Sequence, residues 1–476
     1  MFMLAASISF IYWRRSLIAD SPSQGYLAFV GLFLVLGLFS KENAIVLVPI
    51  LLLMELLWFG FLGSDGKQIP WLRKSTLFLI TGGTALLTIL LMARWDALSG
   101  QFHNRPFSLE ERLLTEGRIL WDYIGQLIWP DVRRMGIYHD DIEISRSLLE
   151  PISTLYAIVG WIGVLVGCAM LLRWQWGRYL AFGISWFLVG HSVESTVLSL
   201  ELYFEHRNYF PAIGLFLTLG VLVSLAIDRL PDVRRPACAW LSVCLLIVTM
   251  ATSSQVQIWS SRPLMIMHHL NAHPNSFRAN TDMAVQMAQL GDLDAARRYS
   301  ERAFAVDDEE RDADFRVRNL ALMCIAGKPV SSEVIDKEVV IKDDRPLSSV
   351  STLMTLVRLL QDDACPRFDR SYFADRMADF FLVDDFRRRG APNIFASLAV
   401  LENALQRYDN ALGYTERFLA FDGDNTRGLL MKLHFTTALG KVDEARAVIS
   451  QLQGMESAGR LTVGEKQTLA LYLENS

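Results

Sequence analysis

Apolar runs alternate with short charged breaks over the first half of this chain, at roughly 1–13, 26–40, 43–62, 75–93, 152–172, 179–200, 208–228 and 237–253. Several reach the ~20 residues that a helix needs to cross a bilayer. The first two are short and read as tilted, re-entrant or incomplete. Beyond residue 253 the runs shorten and the charge density rises. The pattern predicts an all-α chain in two parts: a polytopic transmembrane helix bundle over 1–253 and a helical domain over 254–476.

The breaks take sides. Arg14-Arg15, then Lys67, Arg73 and Lys74, then Arg173 and Arg178, then Arg229, Arg234 and Arg235 fall in every second break. Positive residues mark cytoplasmic loops, so those breaks are inside. Ser40 to Asn43, the long loop 94–150 and Glu201 to Asn208 are then outside, together with the C-terminal domain. The same count puts Met1 outside, on a first run too short to span and without a basic segment before it. The expectation is a chain whose gene model lacks the start of a longer protein.

Three segments of the second half align on a helix–turn–helix template of 34 residues. They are "FRANTDMAVQMAQLGDLDAARRYSERAFAVDD" from Phe277, "FASLAVLENALQRYDNALGYTERFLAFDGDN" and "RGLLMKLHFTTALGKVDEARAVISQLQGM". Gly291 and Gly440 stand at the turns. Ala296, Ala303, Ala411 and Ala445 are small where the helices cross, with Tyr414 beside Ala411. Ala411 and Ala445 are 34 residues apart. This resembles the tetratricopeptide repeat, which implies an α-solenoid. Such stacks either hold peptides and partner proteins on a concave face or serve as packing modules. In 311–391, "RNLALMCIAGKP" opens a degenerate repeat, and "SSVSTLMTLVRLL" with "DRSYFADRMADFFL" predicts one more helix pair.

Composition agrees. The chain of 476 residues is 52% apolar with net charge −5 and mean hydropathy +0.26. The charge argues against a nucleic-acid partner. Five cysteines show no zinc spacing. Cys168, Cys238 and Cys244 fall in apolar runs. Cys324 and Cys365 lie in the polar half and form a disulfide only if that half meets an oxidising compartment.

Candidate chemistry gathers at the outer breaks. Lys41 and Glu42, in "FSKENAIVLVP", either neutralise each other or face a polar cavity and a charged substrate. The long loop carries an amphipathic segment, Leu113 to Ile128, that suits a helix lying on the membrane with Trp121 and Trp129 at headgroup level. Its tail, His139-Asp140-Asp141, is either a solvated loop or a set for acid–base work or a divalent cation. His191 and Glu194 fall one helical turn apart, as a satisfied pair or as the lining of a cavity. In "FEHRNYFPAIG", Arg207 offers a planar fork that fits phosphate, Glu205 stands ready to orient it, and His206 lies between them.

Taken together, "SKENAIVLVPILLLMELL", "LIWPD", "EHRNYFPAIGLFL" and the repeats resemble bacterial membrane tetratricopeptide-repeat proteins. Those in turn are similar to the transmembrane and tetratricopeptide-repeat O-mannosyltransferases, within the polytopic glycosyltransferases of the GT-C fold. The resemblance implies an inner-membrane enzyme with its repeats on the periplasmic side. It implies inverting transfer of a sugar from a polyprenyl-phosphate carrier to an exported protein acceptor bound by the repeats. The family's Lys-Glu pair would map onto Lys41 and Glu42; Arg207 would hold the carrier phosphate, supported by Lys41, and Glu205 and His206 would shape that site. The family's catalytic carboxylate lies in a first outer loop that this chain does not contain, so the resemblance assigns no catalytic residue here. Two other expectations stand beside it: a non-catalytic membrane-anchored repeat scaffold for envelope assembly, and an oligosaccharyl transferase like the O-antigen ligases, for which the long loop and His139 speak.

Overall fold

A computed structural model of the chain describes residues 1–229, 234–304, 312–339, 350–381 and 391–474. Among them there is no β-strand, only two isolated bridges. The chain divides into two units, Met1–Ser260 and Ser261–Ser476.

The first unit holds α1 (Phe2–Ile18), α2 (Gln24–Ser40), α3 (Leu47–Leu53), α4 (Pro70–Ala93), α5 (Trp95–Gly100), α6 (Leu109–Ile128), α7 (Ser153–Leu171), α8 (Gln175–His191), α9 (Tyr209–Arg229) and α10 (Arg234–Trp259). A 3-10 turn, Glu42–Val46, leads into α3, and a π-helical stretch, Met54–Phe59, leaves it. Five stretches are long and apolar enough to cross a membrane: Glu42–Phe59, Pro70–Ala93, Ser153–Leu171, Glu205–Arg229 and Arg235–Trp259. The other three apolar runs become α1, α2 and α8, of 17 residues each. At 1.5 Å per residue each reaches ~25 Å, short of a ~30 Å hydrocarbon core.

Two features organise this unit. Helices α8 and α9 pack almost backbone to backbone, because small residues face each other. A Cβ on Gly183 would sit 1.8 Å from Thr218 Oγ1, and one on Gly214 would sit 2.5 Å from Trp186 Cβ. At the opposite end of the chain's alternation, Arg14 is fully buried and meets Glu55 at 2.5 Å. Its guanidinium also donates to Leu62 O at 2.9 Å. Glu55 Oε1 accepts from Phe61 N at 3.0 Å. Arg14 therefore does not stand in its break as the exposed charge that the alternation takes it for; Arg15 alone is exposed there.

The second unit is helical throughout its described residues: α11 (Arg262–Ala272), α12 (Phe277–Gln289), α13 (Leu293–Phe304), α14 (Asp312–Ile325), α15 (Ser332–Glu338), α16 (Val350–Gln361), α17 (Arg370–Phe381), α18 (Ala391–Ala404), α19 (Tyr408–Leu419), α20 (Thr426–Ala438), α21 (Val442–Ser457) and α22 (Val463–Glu474). The three aligned segments form the helix pairs α12–α13, α18–α19 and α20–α21. Ala296, Ala303, Ala411, Tyr414 and Ala445 are all buried. The two helices expected between them appear as α16 and α17, which pack against α18 rather than chiefly on each other. Cys324, at the end of α14, and Cys365, after α16, are joined by a disulfide inside a core that includes Leu353, Leu360 and Phe373.

Each of the three pairs turns in one way: the residue two places before the second helix takes a left-handed conformation. It is Gly291 (φ 82°) and Gly440 (φ 69°) in two pairs, and Gln406 (φ 58°) in the third. A side chain there costs on the order of 1 kcal/mol that glycine avoids. Gln406→Gly is expected to stabilise the protein by roughly 0.5–1 kcal/mol, read as a higher urea midpoint at unchanged slope. A lower midpoint would show that the Gln406 side chain contributes more than its backbone costs.

Candidate functional site

The site is built on α6. Ser108 accepts from Glu111 N at 3.2 Å while the Glu111 carboxylate accepts from Ser108 N at 2.7 Å, a reciprocal cap that fixes the helix start. From there Leu109, Arg112, Glu116, Ile119, Tyr123 and Gln126 form one buried stripe at helical spacing. Two of its six members are ionisable, so the stripe must pair them.

Arg112 is paired by backbone. Its Nε donates to Thr196 O at 2.9 Å, NH1 to Leu200 O at 2.6 Å and NH2 to Glu194 O at 2.7 Å. It also meets the Glu116 carboxylate at 3.0 Å. Those carbonyls are ones that a continuing α8 would use internally. The helix instead stops at His191, and the chain runs on through turns to Phe204. The continuous apolar helix expected over 179–200 is thereby corrected. His191 and Glu194 do not share a helical face; one ends α8 and the other lies in the turns behind it.

The turns bring together three breaks of the first unit. Lys41, extended at the end of α2, places Nζ 2.6 Å from Glu194 Oε1. Its partner is thus Glu194 and not Glu42, which is exposed. Arg207 Nε lies 4.0 Å from Glu194 Oε2. Its NH1 donates to Glu201 O at 2.5 Å, and the guanidinium sits 5.3 Å from the Phe204 ring. Arg105 closes the edge with Glu201 at 2.9 Å. The breaks at Ser40–Asn43, 94–150 and Glu201–Asn208, placed on one side by charge alternation, do meet.

Glu205 does not orient Arg207. Its Oε1 accepts from Gly136 N at 3.0 Å and from His139 Nε2 at 3.1 Å. His139 turns to Glu205 and to Gly136 O, at 3.0 Å. Asp140 is exposed. Among the described residues no three His, Cys, Asp or Glu side chains gather to hold a metal ion. His206 is exposed.

A ring stack links the two halves of the site. Tyr123 lies between His191 (5.0 Å) and Tyr203 (4.6 Å), and its hydroxyl donates to Phe204 O at 3.1 Å. Asn208 shares a hydrogen bond with His191 Nε2 at 3.3 Å and donates to Tyr123 O at 3.2 Å. Ser195 Oγ lies 3.4 Å from His191 Nδ1. Trp121 is bound to Ala157 O of α7 at 3.1 Å and stacked on Trp161 at 4.5 Å, so it packs inside the unit; Trp129 is exposed.

Beside this stack lies a cavity of about 690 Å³ between α6, the 135–137 loop, the start of α9 and the end of α10. Leu127, Ile137, Ala212, Ile213, Phe216 and Trp259 form its apolar wall. Gln126, Glu205, His206, Asn208 and Gln255 are its polar lining. Arg207 does not line it. The residues expected to shape one carrier-phosphate site thus separate: Lys41 and Arg207 belong to the Glu194 cluster, Glu205 and His206 to the cavity.

Arg112, Glu116, Tyr123, Ser195 and Asn208 were not among the expected site residues. One signal pointed to the first two: Arg112 and Glu116 fall on the helical stripe that carries Leu109, Ile119 and Tyr123. Burial lifts the Glu116 carboxyl to about 7 from 4.5, against the pull of Arg112. Between those values the folded protein keeps a proton that the unfolded chain has released. Stability is then greatest below pH 4.5, falls as pH rises through the window, and levels off above 7. Glu116→Gln is expected to flatten that slope in thermal unfolding recorded across the window; an unchanged slope would place the titration elsewhere.

No family model matches this chain, and no curated protein or solved structure matches it. The fold itself defines the class: a membrane protein, all-helical among the described residues, with five stretches there long and apolar enough to span, joined to a unit rich in helix pairs.

Proposed function

We propose that this protein is a membrane glycosyltransferase of the GT-C kind. It transfers a sugar from a polyprenyl-phosphate carrier to an exported protein acceptor. The helix pairs of the second unit are read as tetratricopeptide repeats that hold that acceptor on the periplasmic side of a bacterial inner membrane. The Cys324–Cys365 disulfide supports an oxidising compartment for that unit.

One observation carries the reading. Lys41, Arg112 and Arg207 converge on Glu194 and Glu116, and Glu116 ionises only near neutrality. The cluster therefore holds an excess of positive charge, which an anion would balance. In the proposed reaction an acceptor hydroxyl attacks the anomeric carbon, the bond from that carbon to the phosphate oxygen breaks, and the polyprenyl phosphate leaves with the electron pair and takes up the proton that the hydroxyl loses. Lys41, with its side chain 54% exposed, reaches the phosphate. Arg112 and Arg207, held by carbonyls, supply a fixed field behind it.

The test uses the full-length protein in nanodiscs with a short-chain polyprenyl-phosphate sugar. Lys41→Ala is expected to lower kcat/KM for transfer about 100-fold, with Lys41→Arg keeping more of it. Transfer undiminished in Lys41→Ala, or equal binding of the polyprenyl phosphate and its free alcohol, would sink the reading.

A further inference from the structure

We infer that the cavity between α6, α9 and α10 binds an uncharged amphipath: one apolar chain under a hydroxyl-bearing head, as in an alkyl glycoside. The inference stands apart from sugar transfer, because it concerns what the cavity walls recognise and does not involve the Glu194 cluster.

The polar lining offers acceptors. Glu205 Oε1 is already taken by Gly136 N and His139 Nε2, and the carboxylate remains an acceptor only. Gln255 gives its amide nitrogen to Val132 O, which fixes its oxygen toward the other side. That Oε1 is buried and has no hydrogen-bond partner. A buried acceptor without a donor costs about 1–3 kcal/mol. Both residues line one cavity. Asn208 cannot serve them, since both ends of its amide are engaged by His191 and Tyr123. What is missing is a donor, and a sugar or alcohol head supplies several.

Charge excludes the obvious competitor. No lysine or arginine is among the described residues that line the cavity, and Glu205 is its acid. A phosphate head would bring further acceptors and negative charge to a carboxylate and an orphaned carbonyl. The tail end suits a chain: Leu127, Ile213, Phe216 and Trp259 are apolar, and Phe216 and Trp259 are themselves half-exposed at the edge. The volume of about 690 Å³ lies within the range of sites that enclose one small ligand.

The experiment is photo-labelling of the full-length protein in nanodiscs with a dodecyl glucoside carrying a diazirine in its chain. Peptides are read by mass spectrometry. Label is expected on the peptides that contain Ile213, Phe216 and Trp259, above that on the outward residues Leu86 and Ile89 of α4. Unlabelled dodecyl glucoside is expected to compete at about one tenth the concentration of dodecyl phosphate. Glu205→Gln should narrow that ratio to about threefold or less by removing the repelling charge. Gln255→Leu should weaken glucoside competition and so narrow the ratio as well, because the orphaned acceptor that prefers a donor head is gone. Ile213→Trp, which fills the cavity, should remove the label. Equal competition by dodecyl phosphate, label spread evenly onto α4, or a ratio unmoved by Glu205→Gln would each overturn the inference. The readout involves no transfer, and phosphate bound through Lys41 leaves the cavity peptides unaffected, so this test and the transfer test fail separately.

Discussion

Arg112→Ala is expected to cost roughly 3–5 kcal/mol of stability, the largest effect of any single change around the Glu194 cluster. Arg112 is fully buried, and it is what holds the turns after α8 in place. Its removal leaves the carbonyls of Glu194, Thr196 and Leu200 without their donors. It also leaves Glu116 buried without its counter-ion. Arg112→Lys is expected to recover little, because one ammonium cannot span three carbonyls and a carboxylate as the planar fork does. The loss should extend to Lys41 and Arg207, since Glu194 sits on the segment that Arg112 holds. Thermal unfolding in detergent measures the first effect. A midpoint within a degree or two of the parent protein would mean that the turns are held by other bonds.

The second large effect lies at the other end of the first unit. Arg14→Met strands the Glu55 carboxylate, whose side chain is 2% exposed, with only the Phe61 N–H to answer it. The expected loss is again about 3–5 kcal/mol. The double change Arg14→Met with Glu55→Leu removes both charges and keeps the volume. It is expected to fall within about 1 kcal/mol of the parent or above it. A double variant as unstable as the single one would show that Arg14 acts through Leu62 O and its aromatic neighbours rather than through Glu55.

The contrast between these two ends explains what the sequence could disclose. Charge alternation grouped Ser40–Asn43, 94–150 and Glu201–Asn208 on one side, and Lys41, Arg105, Arg112 and His139 do reach across those breaks. Alternation counts charges, however, and cannot see pairing. It took Arg14 for a solvated marker although Glu55, distant in sequence, neutralises it. Apolar periodicity foresaw α12–α13, α16, α17, α18–α19 and α20–α21, because those helices are decided by local spacing and turn residues. It carried α8 too far, because the end of that helix is decided by Arg112, distant in sequence. Arg207 read as an open phosphate fork because its chemistry is local, whereas the carbonyls of Glu201 and Leu202 that occupy it depend on the path of the turns. The separation of Lys41 and Arg207 from Glu205 and His206 is likewise a property of the fold, since residues 205, 206 and 207 are adjacent in the chain.

The disulfide has a consequence of its own. Of the five cysteines, Cys168, Cys238 and Cys244 sit on α7 and α10 of the first unit, which leaves the second unit with Cys324 and Cys365 alone. Two thiols admit one pairing. Oxidation of that unit has no wrong partner within itself, so it needs an oxidant but no enzyme to sort connectivities.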